Sequence, residues 1–282
     1  MLGRSLTIVA VLACAAVVAV TGSAGTERLP QRIVSLSPTA TESLFSIGAG
    51  RQVVAVDDQS DYPKRAPRTK LSGITPNAEA IARFRPDLVV VQYDANKIVE
   101  ALGKLHIRVL VQPSANTLAE AYAQIRTLGA ATGRRLGAAK LVARMKKRIA
   151  GLVASVPKPA RPLSVYHELT PDYYSATSRT FIGRVYALFG LSNIADAADK
   201  SGTGYPQLSG EYVLAADPGL IVLADTRCCG QSRVAVAARP GWNRLTAVQR
   251  GKILVVDDSV ASRWGPRIVD FVRAVARALR QG

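Results

Sequence analysis

One pattern occurs twice in this chain, 132 residues apart, and it sets strong limits on the fold. The first copy is Asn77-Ala-Glu79-Ala-Ile81-Ala-Arg-Phe-Arg-Pro86-Asp-Leu88-Val-Val-Val91. The second is Ser209-Gly-Glu211-Tyr-Val213-Leu-Ala-Ala-Asp-Pro218-Gly-Leu220-Ile-Val-Leu223. Each copy reads as a helix N-cap, a first-turn glutamate, a short apolar helix, a proline stop and an uninterrupted apolar strand. Asn and Ser are good caps because a short side-chain oxygen accepts a free first-turn N–H. A carboxylate in that turn suits the positive end of the helix. A proline ends a helix, and a strand without alternation expects cover on both faces. A helix-dipole partner explains either glutamate alone; two at matched positions mark one surface point on each of two similar halves.

The flanking sequence extends this alternation of strand and helix. Strands are expected at Arg32–Leu36, Val53–Val56, Val109–Val111, Leu163–Tyr166 and Ile253–Val256. Helices are expected over Thr39–Ile47, through Val185, Leu188 and Phe189 to Gly190, and from Pro266 through Leu279. Repeated strand–helix units imply parallel sheets with helices on both faces, an α/β class. Between the halves, Leu136, Leu141, Met145, Ile149 and Leu152 recur at helical spacing, with Lys140, Arg144, Lys147 and Arg148 on other faces. A helix from Arg135 to Val153 would be about 28 Å long, enough to bridge two lobes. The expected organisation is two Rossmann-like lobes, residues 32–133 and 161–282, joined by one linking helix over 134–156.

The first 24 residues read as an export signal. Arg4 precedes an uncharged, mostly apolar run, Leu6–Val20, and Gly22-x-Ala24 fits small-residue cleavage, giving Gly25 as the mature start. The run is short for a membrane span, which needs about 20 residues. An uncleaved anchor is the alternative. A lipid-modified Cys14 is a weaker one, because the apolar run continues beyond it. Either way the protein is exported, to the periplasm or the outer face of the cytoplasmic membrane.

Composition excludes several functions. The chain of 282 residues has a net charge of +17, a field that favours anionic surfaces. The basic residues are nonetheless scattered, without interleaved aromatics for stacking bases, so no nucleic acid is expected. Only two histidines are present, His106 and His167, few for a site holding a bare transition metal. No phosphate-binding glycine loop or nucleophile elbow occurs, and His167-Glu168 lacks the second histidine of a zinc protease. Cys228 and Cys229 are adjacent and cannot staple distant segments; they read as a turn, as a vicinal disulfide or as two thiols. The chain is therefore read as a binding protein and not an enzyme, with no resident cofactor. An extracytoplasmic enzyme using His167 and Glu168, or the cysteine pair, is the rival.

In open α/β sheets ligands bind at the carboxyl ends of the strands. Those ends nominate Ser37, Thr39, Asp58, Gln59, Asp61, Gln92 and Tyr93 in the first half. In the second they nominate His167, Glu168, Arg227, Cys228, Ser262, Arg263 and Trp264, with Tyr173, Tyr174 and Tyr205 in nearby loops. The ligand-binding set expected from these is Ser37, Thr39, Gln59, Gln92, His167, Tyr205, Arg227, Arg263 and Trp264. Aromatic and polar groups together suit a large, flat, partly polar ligand.

Several segments resemble the periplasmic-type iron-complex and vitamin B12 binding proteins of ABC importers. They are Arg32-Ile-Val-Ser-Leu-Ser-Pro38-x-x-Thr41-Glu42, Ser60-Asp61-Tyr62-Pro63, Asn77-x-Glu79, Pro86-Asp87-Leu88-Val89, Tyr205-Pro-Gln-Leu-Ser-x-Glu211 and Pro266-Arg267. The resemblance spans about Arg32 to Leu279. It implies two α/β lobes on one long helix, a ligand between them, and docking of Glu79 and Glu211 onto arginines of the membrane permease subunits. A monomer is expected. The ligand it implies is a cobalt corrinoid or an iron complex, the latter a ferric siderophore or haem. At positions matching the aromatic corrin cradle of the B12-binding members, this chain has Gln59, Gly73, Gln92 and Tyr205, so only Tyr205 keeps an aromatic. Haem would give His167, Tyr173 or Tyr174 a place as axial ligand, and Arg227 and Arg263 could pair with propionates or an anionic siderophore.

Overall fold

A computed structural model describes residues 28–157 and 162–280. The N-terminal segment 1–24 lies outside them. No described helix is long and apolar enough to cross a membrane.

Eight strands form two parallel sheets of four. β1 (Ile33–Leu36), β2 (Val53–Val56), β3 (Leu88–Val91) and β4 (Arg108–Val111) lie in the order β2-β1-β3-β4. β5 (Ser164–Glu168), β6 (Ser192–Asn193), β7 (Leu220–Leu223) and β8 (Ile253–Val255) repeat it as β6-β5-β7-β8. The fold is α/β, as expected. The duplicated segment supplies β3 and β7, and the shared order places a topological switch beside β1 in one sheet and β5 in the other. That switch is where an open α/β sheet leaves a crevice.

The repeat holds down to the backbone. Asn77 caps Ala78–Ala82 through the Ala80 N–H, and Ser209 caps Gly210–Ala216 through the Tyr212 N–H. Both residues before the prolines are left-handed, Arg85 with φ +47° and Asp217 with φ +40°. A pre-proline residue is sterically kept from the right-handed helical region. Here each one turns left-handed and redirects the chain into its strand.

Three apolar cores follow from the alternation of strand faces. Leu88 and Val90 of β3, and Leu220 and Val222 of β7, face one shared core. Their neighbours Val89 and Val91, and Ile221 and Leu223, face two separate outer cores. The shared core is closed by helices Pro38–Ser46, Leu118–Ala131, Arg135–Ala154 and Ile268–Arg280. Arg135–Ala154 buries Ala138, Leu141, Val142, Met145 and Ile149 and so joins the two sheets in sequence and in packing. Leu136, expected on that buried stripe, is 68% exposed. It lies one position before Gly137, where the helix runs against the end of the first helix. A Cβ at Gly137 would lie 2.2 Å from the Ile47 carbonyl oxygen, so only glycine permits this approach.

β5 extends two residues beyond the expected strand and takes in His167 and Glu168. Both become core residues instead of loop residues, which bears on the site below.

Gly137→Ala should destabilise the protein by about 1–3 kcal/mol, the usual effect of overpacking a close contact. Denaturant unfolding checks this; an unchanged midpoint would rule out the close approach.

Candidate functional site

The carboxyl ends of β1 and β2 are buried and rich in hydroxyls. Thr41 donates from Oγ1 to Ser35 Oγ at 2.9 Å and lies 2.9 Å from Ser60 Oγ, and Ser35 donates to the Ser37 carbonyl. Ser37 uses its own Oγ to accept the Ala40 N–H, because the helix Pro38–Ser46 needs a cap. Ser37 and Thr39 are thus buried by local structure. Asp57 directly follows β2. Burial pushes its carboxyl up to about 6, and Oδ1 has no partner.

Three arginines of the second half reach carboxylates of the first. Arg263 donates from Nη1 to Glu42 Oε1 at 3.0 Å and to Asp61 Oδ1 at 2.9 Å, and from Nη2 to the Gln59 carbonyl at 2.9 Å. Arg227 donates from Nη1 to Asp61 Oδ2 at 3.0 Å and to Asp257 Oδ2 at 3.2 Å. Arg267 donates to Glu42 Oε1 at 2.6 Å and lies over the Tyr62 ring at 4.4 Å. Asp61 opposes its own partial burial through these partners: hydrogen bonds and charge from Arg263 and Arg227 hold its carboxyl below the usual range.

Gln59, Arg227 and Arg263 line one pocket of about 340 Å³ between the halves, with Asp58, Asp61 and Asp258. Asp258 is engaged by the Thr226, Arg227 and Cys228 N–H groups. Cys228, also at this pocket, is joined to Cys229 by a disulfide. The other expected ligand residues lie elsewhere. Gln92 donates to Ser114 Oγ at 3.1 Å. Trp264 is half-buried and donates to Gln124 Oε1 at 2.9 Å, which ties the halves together. Tyr205 is exposed and lines none of the pockets that Arg227 lines.

His167 is a correction. It is fully enclosed, 2.5 Å from Tyr186 Oη through Nδ1 and edge-on to Phe271. Burial lowers its pKa to about 3, so it is a neutral core residue, and its placement does not suit an axial ligand to bound iron. Its neighbour Glu168 points to the other sheet face. There Arg239 binds it through both guanidinium nitrogens at 2.6 and 2.7 Å, and Tyr166 donates to it at 3.0 Å. Asp225 lies alongside, where burial and the Glu168 carboxylate push its carboxyl up to about 7. Glu168 and His167 are thus consumed by packing and charge pairing.

Three participants escaped the expected ligand set: Glu42, Asp61 and Arg267. Glu42 had a sequence signal, being an acid inside an otherwise small and apolar helix stripe. Glu79 and Glu211 are exposed in matched first turns. Backbone and Ser209 hydrogen bonds hold the Glu211 carboxyl below the usual range.

The Asp57 placement predicts a pH signature. A carboxyl whose folded pKa lies above its unfolded value lowers stability as pH rises between the two. For Asp57 that window runs from about 4 to about 6. The stability of Asp57→Asn relative to the native protein should therefore rise across that window and level off above it. Urea midpoints from pH 4 to 8 measure this, and a pH-independent difference would contradict the burial argument.

Comparison with known proteins places this geometry. The family described as periplasmic binding protein matches residues 33–260. A cobalamin-binding protein of Halobacterium salinarum is 32% identical over 259 residues, 88% of this chain and 69% of that protein. An ABC transporter substrate-binding lipoprotein of Bacillus subtilis is 30% identical over 260 residues, 89% of this chain and 80% of that protein. The crystal structure of a periplasmic vitamin B12 binding protein of Vibrio cholerae aligns with a TM-score of 0.71 at 25% identity, covering 89% of this chain and 97% of that one. The family match spans most of the chain, and the chain belongs to the periplasmic binding protein family.

Proposed function

We propose that this protein is the extracytoplasmic solute-binding component of an ABC importer, capturing a cobalt corrinoid between its two halves and delivering it to the membrane permease. The observation that carries this reading is the pair of exposed glutamates at equivalent helix starts, one on each half, flanking the crevice. Strand carboxyl ends and helix N-termini lie at the same end of a parallel α/β unit. Glu79 and Glu211 therefore sit at the crevice end of their halves, and a permease surface bearing two basic patches could engage both. The cobalamin-binding relative supports the corrinoid.

The structure supports an iron complex as the second ligand reading, because guanidinium groups at the crevice suit an anionic siderophore or haem propionates. The binding role is favoured over catalysis because His167 and Glu168, the candidate acid–base pair, are both sealed in packing. We place the protein outside the cytoplasm, as a monomer.

Replacing both glutamates, Glu79→Ala with Glu211→Ala, should leave affinity for cyanocobalamin within about twofold while uptake falls by about tenfold or more, as expected when rim charges guide docking. Equilibrium dialysis and uptake by cells bearing the variant measure the two effects. Normal uptake by the double variant would defeat the docking assignment. Protein that retains the visible bands of none of cyanocobalamin, haemin or a ferric siderophore after gel filtration would defeat the ligand class.

A further inference from the structure

The pocket between the halves holds three carboxylates, and their engagement differs. Asp258 is fixed by backbone N–H groups of its own half. Asp58 lies beside the Arg68 guanidinium, which is tied to its carbonyl. Asp61 alone of the three crosses to the other half, and each of its oxygens takes one guanidinium, Arg263 on Oδ1 and Arg227 on Oδ2. Its side chain is 24% exposed, and Arg227 is 56% exposed. Behind it, the fully buried Glu42 independently holds Arg263 and Arg267. The arrangement is a guanidinium pair aimed at one oxyanion, with the protein's own partly buried carboxylate in that place.

We propose that Asp61 is a resident counter-ion that an oxyanion of the ligand displaces from Arg227 and Arg263. The ligand is then a metal macrocycle or chelate that carries an oxyanion. The phosphodiester of cobalamin and the propionates of haem are the two sources of that chemistry. This rests on the ligand reading above and narrows it. Three features fit. The Asp61–Arg227 pair is solvent-accessible and screened, so its exchange gives up little, while Arg263 is 13% exposed and keeps a second partner. Arginine presents a planar fork matched to carboxylate and phosphate oxygens alike. Glu42 keeps Arg263 positioned while Asp61 leaves.

The test uses Asp61→Asn, which keeps the shape and removes the charge; thermal melting checks that the variant folds. Native protein and variant are titrated with cyanocobalamin and with dicyanocobinamide, which lacks the phosphodiester. A second pair is haemin and its dimethyl ester. The variant should bind the oxyanion-bearing member of one pair about tenfold more tightly, with a steeper salt dependence, and the neutral member unchanged. The pair that responds identifies the source. Inorganic phosphate is the independent probe: it should bind the variant at millimolar concentration and the native protein far less. If neither macrocycle nor a ferric siderophore binds native protein, the ligand reading falls and the phosphate titration alone decides the exchange. An equal change for both members of the responding pair, weaker binding of the oxyanion member, or no phosphate gain in the variant would overturn it.

Discussion

The two halves of this protein are held by one shared apolar core. Leu88 and Val90 from one sheet and Leu220 and Val222 from the other pack onto the same helices. The contact tightens at Gly137, where the long helix meets the Ile47 carbonyl. Separating the halves widely would expose this core, and apolar exposure costs about 25 cal/mol per Å². Dense packing also resists continuous deformation. Such packing opposes wide separation of the halves and leaves the polar groups at the rim as those least tied to the core.

Charge is arranged to match. The deep pairs are structural: Glu168 with Arg239, and Glu42 with Arg263 and Arg267. Such pairs recover little net stability because both ions lose their hydration, yet breaking one by deleting a partner typically costs about 3–5 kcal/mol. They fix geometry more than they add stability. Burial and the neighbouring Glu168 carboxylate push the Asp225 carboxyl up to about 7, which disfavours a second negative charge beside Glu168. The pairs nearer water, at Asp61 and Arg227, are the exchangeable ones. A gradient from locked to labile charge thus runs from the core to the mouth of the crevice.

Much of the fold could be read from the chain because its signals are local. The duplicated cap, acid, proline and apolar run of each half depends on neighbours in sequence, and it recurs in the backbone, including the left-handed Arg85 and Asp217. The edges of strands were harder. Tyr166-His167-Glu168 contains polar residues that look like a strand end, but Tyr186 binds one ring nitrogen of His167 and Arg239 pairs with Glu168, and β5 continues through both. Leu136 was expected on the buried stripe, but it stands five residues before Leu141, about 140° round the helix from it, and so faces water. The site was half legible. Strand-end reasoning found Gln59, Arg227 and Arg263 at one pocket. It could not find that Glu42 and Asp61 already occupy the arginines, because those contacts span more than 160 residues.

The buried hydroxyls at the carboxyl ends of β1 and β2 have a consequence for selectivity. Ser35, Ser37, Thr41 and Ser60 bond to one another and to nearby backbone. They are buried, so water does not compete for them. With their hydrogen bonds turned inward, these hydroxyls are spent on holding the ends of β1 and β2 against the start of the helix Pro38–Ser46. Directional recognition of a guest would fall to the charged groups that line the pocket instead.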